Sequence, residues 1–366
     1  MKDKQQQKAV GQYGNDENYI LEPYTGLRIM PVSDSPWAPT GFGTNTKNVA
    51  SLLHNEGHRI GYGGCQNDRH GQWFTPWPLG QTEKQSWFEM LPIMFAGQER
   101  FGEKSFPHWV KNFKPDLVIG HLDFQMFKHM TDLKQPSQVT MPFYDEKGNI
   151  LNRKQRMDMM NEAFKQISKG VSWKLGVVIP YDGEPSVPEW KFQLNNVDYG
   201  IAMSRYGQIG LKKDFDVDTT YIPHGVDTGF FKPKIVDKGH EAFVVGCVAR
   251  NQHRKNIPRL IKGFADFVHK RKLKPTQIKL MLHMQWSDYM GWDIDFMTKK
   301  YGVREYMYEN AIGNLDANAA PTEQEMIDKV YNHMDVFILP TAGEGFGIPT
   351  IEAMACGVPV AVTNYT

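Results

Sequence analysis

Cysteine is scarce. Three occur in 366 residues, Cys65, Cys247 and Cys356, far apart and in no spacing that would seat a metal. That excludes a disulfide framework, and the thiols read as reduced ones in an intracellular, cytoplasmic protein. Charge of one sign is lacking too: 42 Lys and Arg face 41 Asp and Glu, for a formal net charge of +1. No bulk attraction to nucleic acid or an anionic membrane follows, although a local basic groove stays open. No apolar run approaches the length of a membrane span. The opening MKDKQQQKAVGQYGNDEN has no apolar segment of the secretory kind, so 1–18 reads as a loose polar tail.

What remains is ordinary soluble composition, 40% hydrophobic and 23% charged, at a length that suits two domains. The chain alternates buried strands with amphipathic helices. GLRIMPVSD (26–34) reads as a strand. SPWAPTGFG (35–43) reads as a Pro/Gly loop, and TNTKNVASLLHNEGH as a helix facing inward through Val49, Leu52 and Leu53, with Gly57 as its stop. RIGYGG is the next strand, completing a βαβ unit. A stretch from Cys65 to about Ser86, containing GQWFTPWPLG, reads as irregular. Trp73, Trp77, Trp286 and Trp292 read as loop anchors. Further strands are expected at 116–120, within 174–185 as a strand and the loop after it, and at 197–204. The segment 229–241 reads as a linker between domains 19–228 and 242–366.

The pattern then restarts. FVVGCVAR is a strand. NIPRLIKGFADFVHKRK is a helix with Asn256 as N-cap, Pro258 in its first turn, and a stripe of Ile257, Leu260, Ile261, Phe264, Phe267 and Val268. TEQEMIDKVYNHM carries a capping box, Thr322 with Glu325. DVFILP is a strand, and a helix begins near Pro349. Alternating strands and helices predict an α/β architecture of two doubly wound parallel sheets, with ligands at the carboxyl ends of strands in a cleft between the halves.

Two stretches carry chemistry. In GEGFGIPTIEAMACGVPV, glycines 343, 345 and 347 leave backbone amides bare before a helix N-terminus, which is a ready anion site. Glu344 and Glu352 bracket that loop. A carboxylate is a poor phosphate ligand and a good acceptor for vicinal hydroxyls, so the arrangement suits an anionic ligand with sugars at both ends, a sugar nucleotide. Alternatively both glutamates are solvated and merely favour the helix dipole. In CVARNQHRKNI, Arg250 and Lys255 sit at a strand-to-helix turn and would reinforce phosphate binding; a solvated basic turn is the plainer reading. After the strand of VVIPYDGEP, Asp182 and Glu184 are candidates for substrate contact or simple turn residues. His121 ends a strand and is either a contact or a packed histidine. His224 reads as shaping the cleft.

These stretches, with IPHGVDTGFFKP and EMIDKVYNHMDVFILPT, resemble the retaining GT-B glycosyltransferases of family 4. The resemblance extends from about Gly26 to the end, apart from the irregular insert near 65–110. It implies a GT-B fold and metal-independent transfer of a sugar from a UDP- or GDP-linked donor, with no other cofactor. Arg250 and Lys255 would hold the donor diphosphate. Glu344 would bind the transferred sugar and Glu352 the ribose. Gly345, Phe346, Gly347 and Ile348 would line the donor, and Gly41 and Gly43 would approach its phosphate. Where the family often has a histidine near the reacting sugar, this chain has Tyr181 followed by Asp182, so Asp182 is the catalytic candidate there, with Tyr181, Glu184 and His121 on the acceptor side. The acceptor is open: glycan, lipid, protein, small molecule or modified nucleic acid. A family member would add further βα units after VPVAVTN, so the second domain is expected to be incomplete. Competing readings are an inactive sugar-nucleotide-binding scaffold, against which the intact Arg250, Lys255, Glu344 and Glu352 argue, and an epimerase or phosphorylase of the same fold.

Overall fold

A computed structural model describes residues 25–36, 40–65, 74–78, 85–92, 105–134, 154–155, 173–184, 186–308 and 325–365. The tail 1–18, Trp73 and Thr322 lie outside them. Chain contacts group 1–180 with 186–222 as one unit, and 181–185 with 223–366 as a second. Among the described residues no helix is long and apolar enough to cross a membrane.

The first unit holds an eight-stranded sheet in the order β3-β4-β2-β1-β5-β6-β7-β8. Its strands are β1 (Arg28–Asp34), β2 (Arg59–Cys65), β3 (Phe74–Pro78), β4 (Gln85–Pro92), β5 (Leu117–His121), β6 (Lys174–Ile179), β7 (Tyr199–Ala202) and β8 (Thr220–Tyr221). All neighbours are parallel except β3, which is antiparallel to β4. β1 lies between β2 and β5, so the winding reverses there, as a doubly wound sheet requires. The stretch expected to be irregular contains β3 and runs into the start of β4. Pro76 and Pro78 disguise β3 in the sequence, but a proline costs no ladder bond on an outer strand, and β3 is the outermost.

Helix α1 (Gly41–Asn55) starts three residues earlier than the sequence predicts. Thr40 is its N-cap, its hydroxyl accepting the Gly43 N–H at 3.1 Å, and Gly57 closes it at φ 90°. Its orientation also differs from the prediction. Thr46, Lys47, Ala50 and Ser51 are buried, whereas Val49 and Leu52 are exposed. Only Leu53 of the expected trio packs on the core. Among the described residues this unit also has the α-helices α2 (Ser105–Phe113), α3 (Lys128–Lys134), α4 (Trp190–Leu194) and α5 (Arg205–Phe215).

The second unit has a parallel four-stranded sheet, β10-β9-β11-β12, formed by β9 (Phe243–Val248), β10 (Ile278–His283), β11 (Val336–Leu339) and β12 (Val360–Val362). Among its described residues are the helices α6 (Ile257–Arg271), α7 (Ile294–Lys300) and α8 (Ile348–Ala355). α6 buries Ile257, Leu260, Ile261, Phe264, Ala265 and Val268, while Phe267 of the predicted stripe faces solvent. Segment 229–241 contains no helix or strand, yet it is fastened to this unit. Phe231 enters the core, the Lys234 N–H donates to Asn332 Oδ1 at 2.8 Å, and Lys238 pairs with Asp335 at 2.8 Å.

One device sets register in both sheets. Asp116, Asp198 and Asp335 each precede a strand and accept a backbone N–H from the strand beside it, of Arg28 (2.8 Å), Leu175 (2.8 Å) and Val244 (2.7 Å) respectively. Each aspartate's own N–H donates back across the same step, to Arg28, Leu175 and Val244.

Candidate functional site

The second sheet reverses its winding between β9 and β11, because β10 lies on one side of β9 and β11 on the other. Loops leaving the carboxyl ends of those two strands flank the place where such sheets take ligands. They carry Arg250, Arg254 and Lys255 after β9, and Gly343–Gly347 after β11.

The loops are stitched together by backbone. The Ala342 N–H donates to the Arg254 carbonyl at 2.7 Å, and the buried Thr341 hydroxyl lies 2.9 Å from the Gly343 carbonyl and 3.3 Å from that of Arg254. Lys255 closes a 3-10 turn, His253–Lys255. Asn256 follows in the left-handed conformation, φ 52°, which asparagine tolerates better than most residues. It holds the expected N-cap position, but its side chain makes no capping bond; its carbonyl accepts the Arg259 N–H at 2.9 Å.

Lys255 and Glu344 form an ion pair in which both side chains are almost covered, at 11% and 13% exposure. Arg254 reinforces it, with Nη1 donating to the Gly343 carbonyl and lying 3.4 Å from Glu344 Oε2. Burial pulls the Lys255 ammonium below the ordinary lysine range, and the Glu344 carboxylate partly restores it. Behind the pair, burial pushes the Cys247 thiol up to about 12, so it is no thiolate. Asp182, grouped with this unit, lies 3.9 Å from Arg254 Nε. Its carbonyl sits where a Cβ on Gly343 would be, at 2.2 Å, so only glycine fits that bend. Gly347, at φ 85°, turns the loop into α8 with Pro349 in the first turn. The ring of His224 meets Phe346 edge-on, centroids 5.1 Å apart, and burial lowers its pKa to about 4.

The other predicted residues take separate places. Arg250 turns to Asp288, Nε to Oδ2 at 3.3 Å. Glu352, one turn into α8, accepts the hydroxyl of the buried Tyr331. Tyr181 is buried, and the Glu184 N–H lies 3.5 Å from the Tyr365 hydroxyl. His121, Gly41 and Gly43 belong to the first unit. His121 is a packed histidine, its Nδ1 2.7 Å from Thr46 Oγ1 and its ring edge-on to Phe42. Gly41 and Gly43 form the first turn of α1 rather than a loop, and the Gly43 amide is taken by Thr40.

Three participants escaped the sequence reading. Arg254 adjoins Lys255 in a stretch already marked as basic. Asp288 and Tyr331 carry no local signal, since their partners lie 38 and 21 positions away. Asp288 sits in a loop shaped by Asn251, whose fully buried amide donates to the Gln285 and Trp292 carbonyls and accepts the Trp292 N–H. Trp286 and Trp292 pack partly buried against the core, as loop anchors do.

Residues 302–366 match the family model of glycosyl transferases group 1. That segment includes Glu344, the glycine loop and Glu352, but not Arg250 to Lys255. The chain is 30% identical over 115 residues to O-antigen chain mannosyltransferase B of Escherichia coli, a match covering 31% of this chain and 26% of that protein. It is 26% identical over 200 residues to lipopolysaccharide core biosynthesis mannosyltransferase LpsB of Rhizobium meliloti (strain 1021), covering 52% of each. The matches thus span about half or less of these curated relatives. In fold, it is similar to sucrose-phosphate synthase from Thermosynechococcus elongatus, with TM-score 0.62 at 16% identity over 93% of this chain and 82% of that one. The chain therefore has the fold of the GT-B glycosyltransferases, and its segment 302–366 is similar to the glycosyl transferases group 1.

Proposed function

We propose that the protein is a retaining glycosyltransferase that moves a sugar from a nucleoside diphosphate sugar to an acceptor hydroxyl. The observation that carries this reading is the covered Lys255–Glu344 pair with Arg254, at the reversal point of the second sheet and beside the glycine-started helix α8. A ligand that brings its own negative charge to Lys255 releases Glu344 from the pair, and a released carboxylate is an acceptor for sugar hydroxyls. Lys255 and Arg250 take the diphosphate, the amides of Gly345 to Ile348 line the donor, and Glu352 accepts from the ribose.

Transfer breaks the bond between the anomeric carbon and the diphosphate oxygen and forms one to the acceptor oxygen on the same face. The acceptor proton goes to the departing phosphate, so no protein nucleophile is needed. The cations and the helix end stabilise the charge that develops on the leaving group, the work a divalent ion would otherwise do. Asp182, beside Gly343 and Arg254, is the carboxylate placed to meet the reacting sugar. The mannosyltransferase names among the relatives support a hexosyl donor, and the acceptor is a hydroxyl compound of open class.

Calorimetric titration with UDP, GDP and their sugar conjugates tests the reading. One base class is expected to bind without added metal, and Lys255→Met should weaken it at least about tenfold by removing a charge-assisted contact. Absence of binding by every nucleotide, or undiminished binding in the variant, would overturn it.

A further inference from the structure

The π-helical turn Met326–Val330 ends immediately before Tyr331, and the chain continues as a 3-10 turn, Tyr331–His333, into β11. A π turn is rare and, where it occurs, is frequently at a functional site. Here the residue it delivers is Tyr331. The ring is fully buried and edge-on to Phe231, centroids 6.0 Å apart. Its hydroxyl donates to Glu352 Oε2. Burial, and next the Glu352 carboxylate, hold the phenol well above its ordinary range, so it remains a donor at any working pH.

We propose that Tyr331 is a positioning residue for Glu352, fixing the carboxylate so that it accepts the ribose hydroxyls and makes the site select ribonucleotides over 2′-deoxyribonucleotides. This rests on the reading of the second unit as a nucleotide-sugar site. A carboxylate offers about four acceptor positions on its two oxygens. The phenol takes one of these, on Oε2, and so sets the direction in which the carboxylate points. A glutamate without that bond must lose its rotamer freedom each time a ligand arrives, whereas one already held does not. The bond also spans β11, tying the segment before the strand to the helix after it, so the carboxylate is fixed relative to the glycine loop between them.

If Tyr331 served only to staple α8, its loss would weaken every nucleotide alike. The test is therefore a ratio. Dissociation constants for UDP, 2′-deoxy-UDP, GDP and 2′-deoxy-GDP are measured on the full chain, its Tyr331→Phe variant and its Glu352→Gln variant. The parent should prefer the ribo form of its base by about tenfold, the value of one hydrogen bond to a charged group. In Tyr331→Phe the preference should shrink several-fold through weaker ribo binding, with deoxy binding unchanged, and Glu352→Gln should lose it too. A parental ratio in Tyr331→Phe, or equal weakening of both forms, overturns the inference while leaving the nucleotide site standing. Equal binding of both forms by the parent does the same. A full ratio in Glu352→Gln removes the ribose assignment and the inference together, and no binding by the parent overturns the nucleotide reading itself.

Discussion

Gly343 and Gly347 lie four positions apart and are glycine for different reasons. At Gly347 the backbone is left-handed, φ 85°, and an added Cβ would find ordinary space, 3.5 Å from Thr350 Oγ1. The expense of a side chain there is conformational. Gly347→Ala should cost about 1–2 kcal/mol in denaturant titrations, and Gly343→Ala more, because its Cβ would run into the Asp182 carbonyl at 2.2 Å. Equal losses in the two variants would contradict this division. At this scale the candidate site was half legible. Glu344, Glu352, Lys255 and the glycines announce themselves by type and spacing around a strand-to-helix turn. Arg250 does so as well, but its partner does not: Asp288 and Tyr331 reach their partners only through the folded chain. Arg254 was hidden differently, as one cation among neighbours, and only the geometry distinguishes it by its bond to the Gly343 carbonyl.

At the scale of elements, most strands could be read because parallel strands covered on both faces are short apolar runs, such as VFIL and FVVGCV, bounded by turns. The aspartates before β5, β7 and β11 belong to the same pattern and explain its sharp edges. β3 was illegible because two prolines argue against a strand anywhere except an edge, and the sequence does not say where the edge is. α1 misled in a more instructive way. Its large apolar side chains suggest one face and its small ones another, and the sheet takes the small face: Ala50 and Ser51 are fully covered while Leu52 is 61% exposed. Close approach of helix to sheet outweighs the extra apolar area. It follows that Leu52→Glu should change stability by no more than about 0.5 kcal/mol, whereas Ala50→Leu should cost about 1–3 kcal/mol by overpacking. Urea titrations giving the reverse order would show that α1 packs by its hydrophobic stripe after all.

The whole molecule has an acid weakness that can be located in pH. His129 in the first unit and His283 in the second are buried, and burial lowers both from 6.5 to about 4. Between those values the unfolded chain takes up a proton at each position that the folded chain refuses. Unfolding then binds protons, so stability falls as pH falls through this window, and the loss is complete below about 4. Each shift corresponds to roughly 3 kcal/mol by linkage. His224, similarly lowered but partly open to solvent, contributes less. The aspartates with lowered values, among them Asp116, which Arg28 bonds, act below the ordinary carboxylate value of 3.8, so the two effects separate. Melting temperatures recorded from pH 7 to 4 should therefore fall steeply, and the curves of His129→Gln and His283→Gln should each be flatter than the parent's, because glutamine has no proton to gain. Since the two histidines lie in different units, neither substitution alone should abolish the slope. Curves parallel to the parent's would mean that these imidazoles are protonated inside the fold and that the acid loss has another origin.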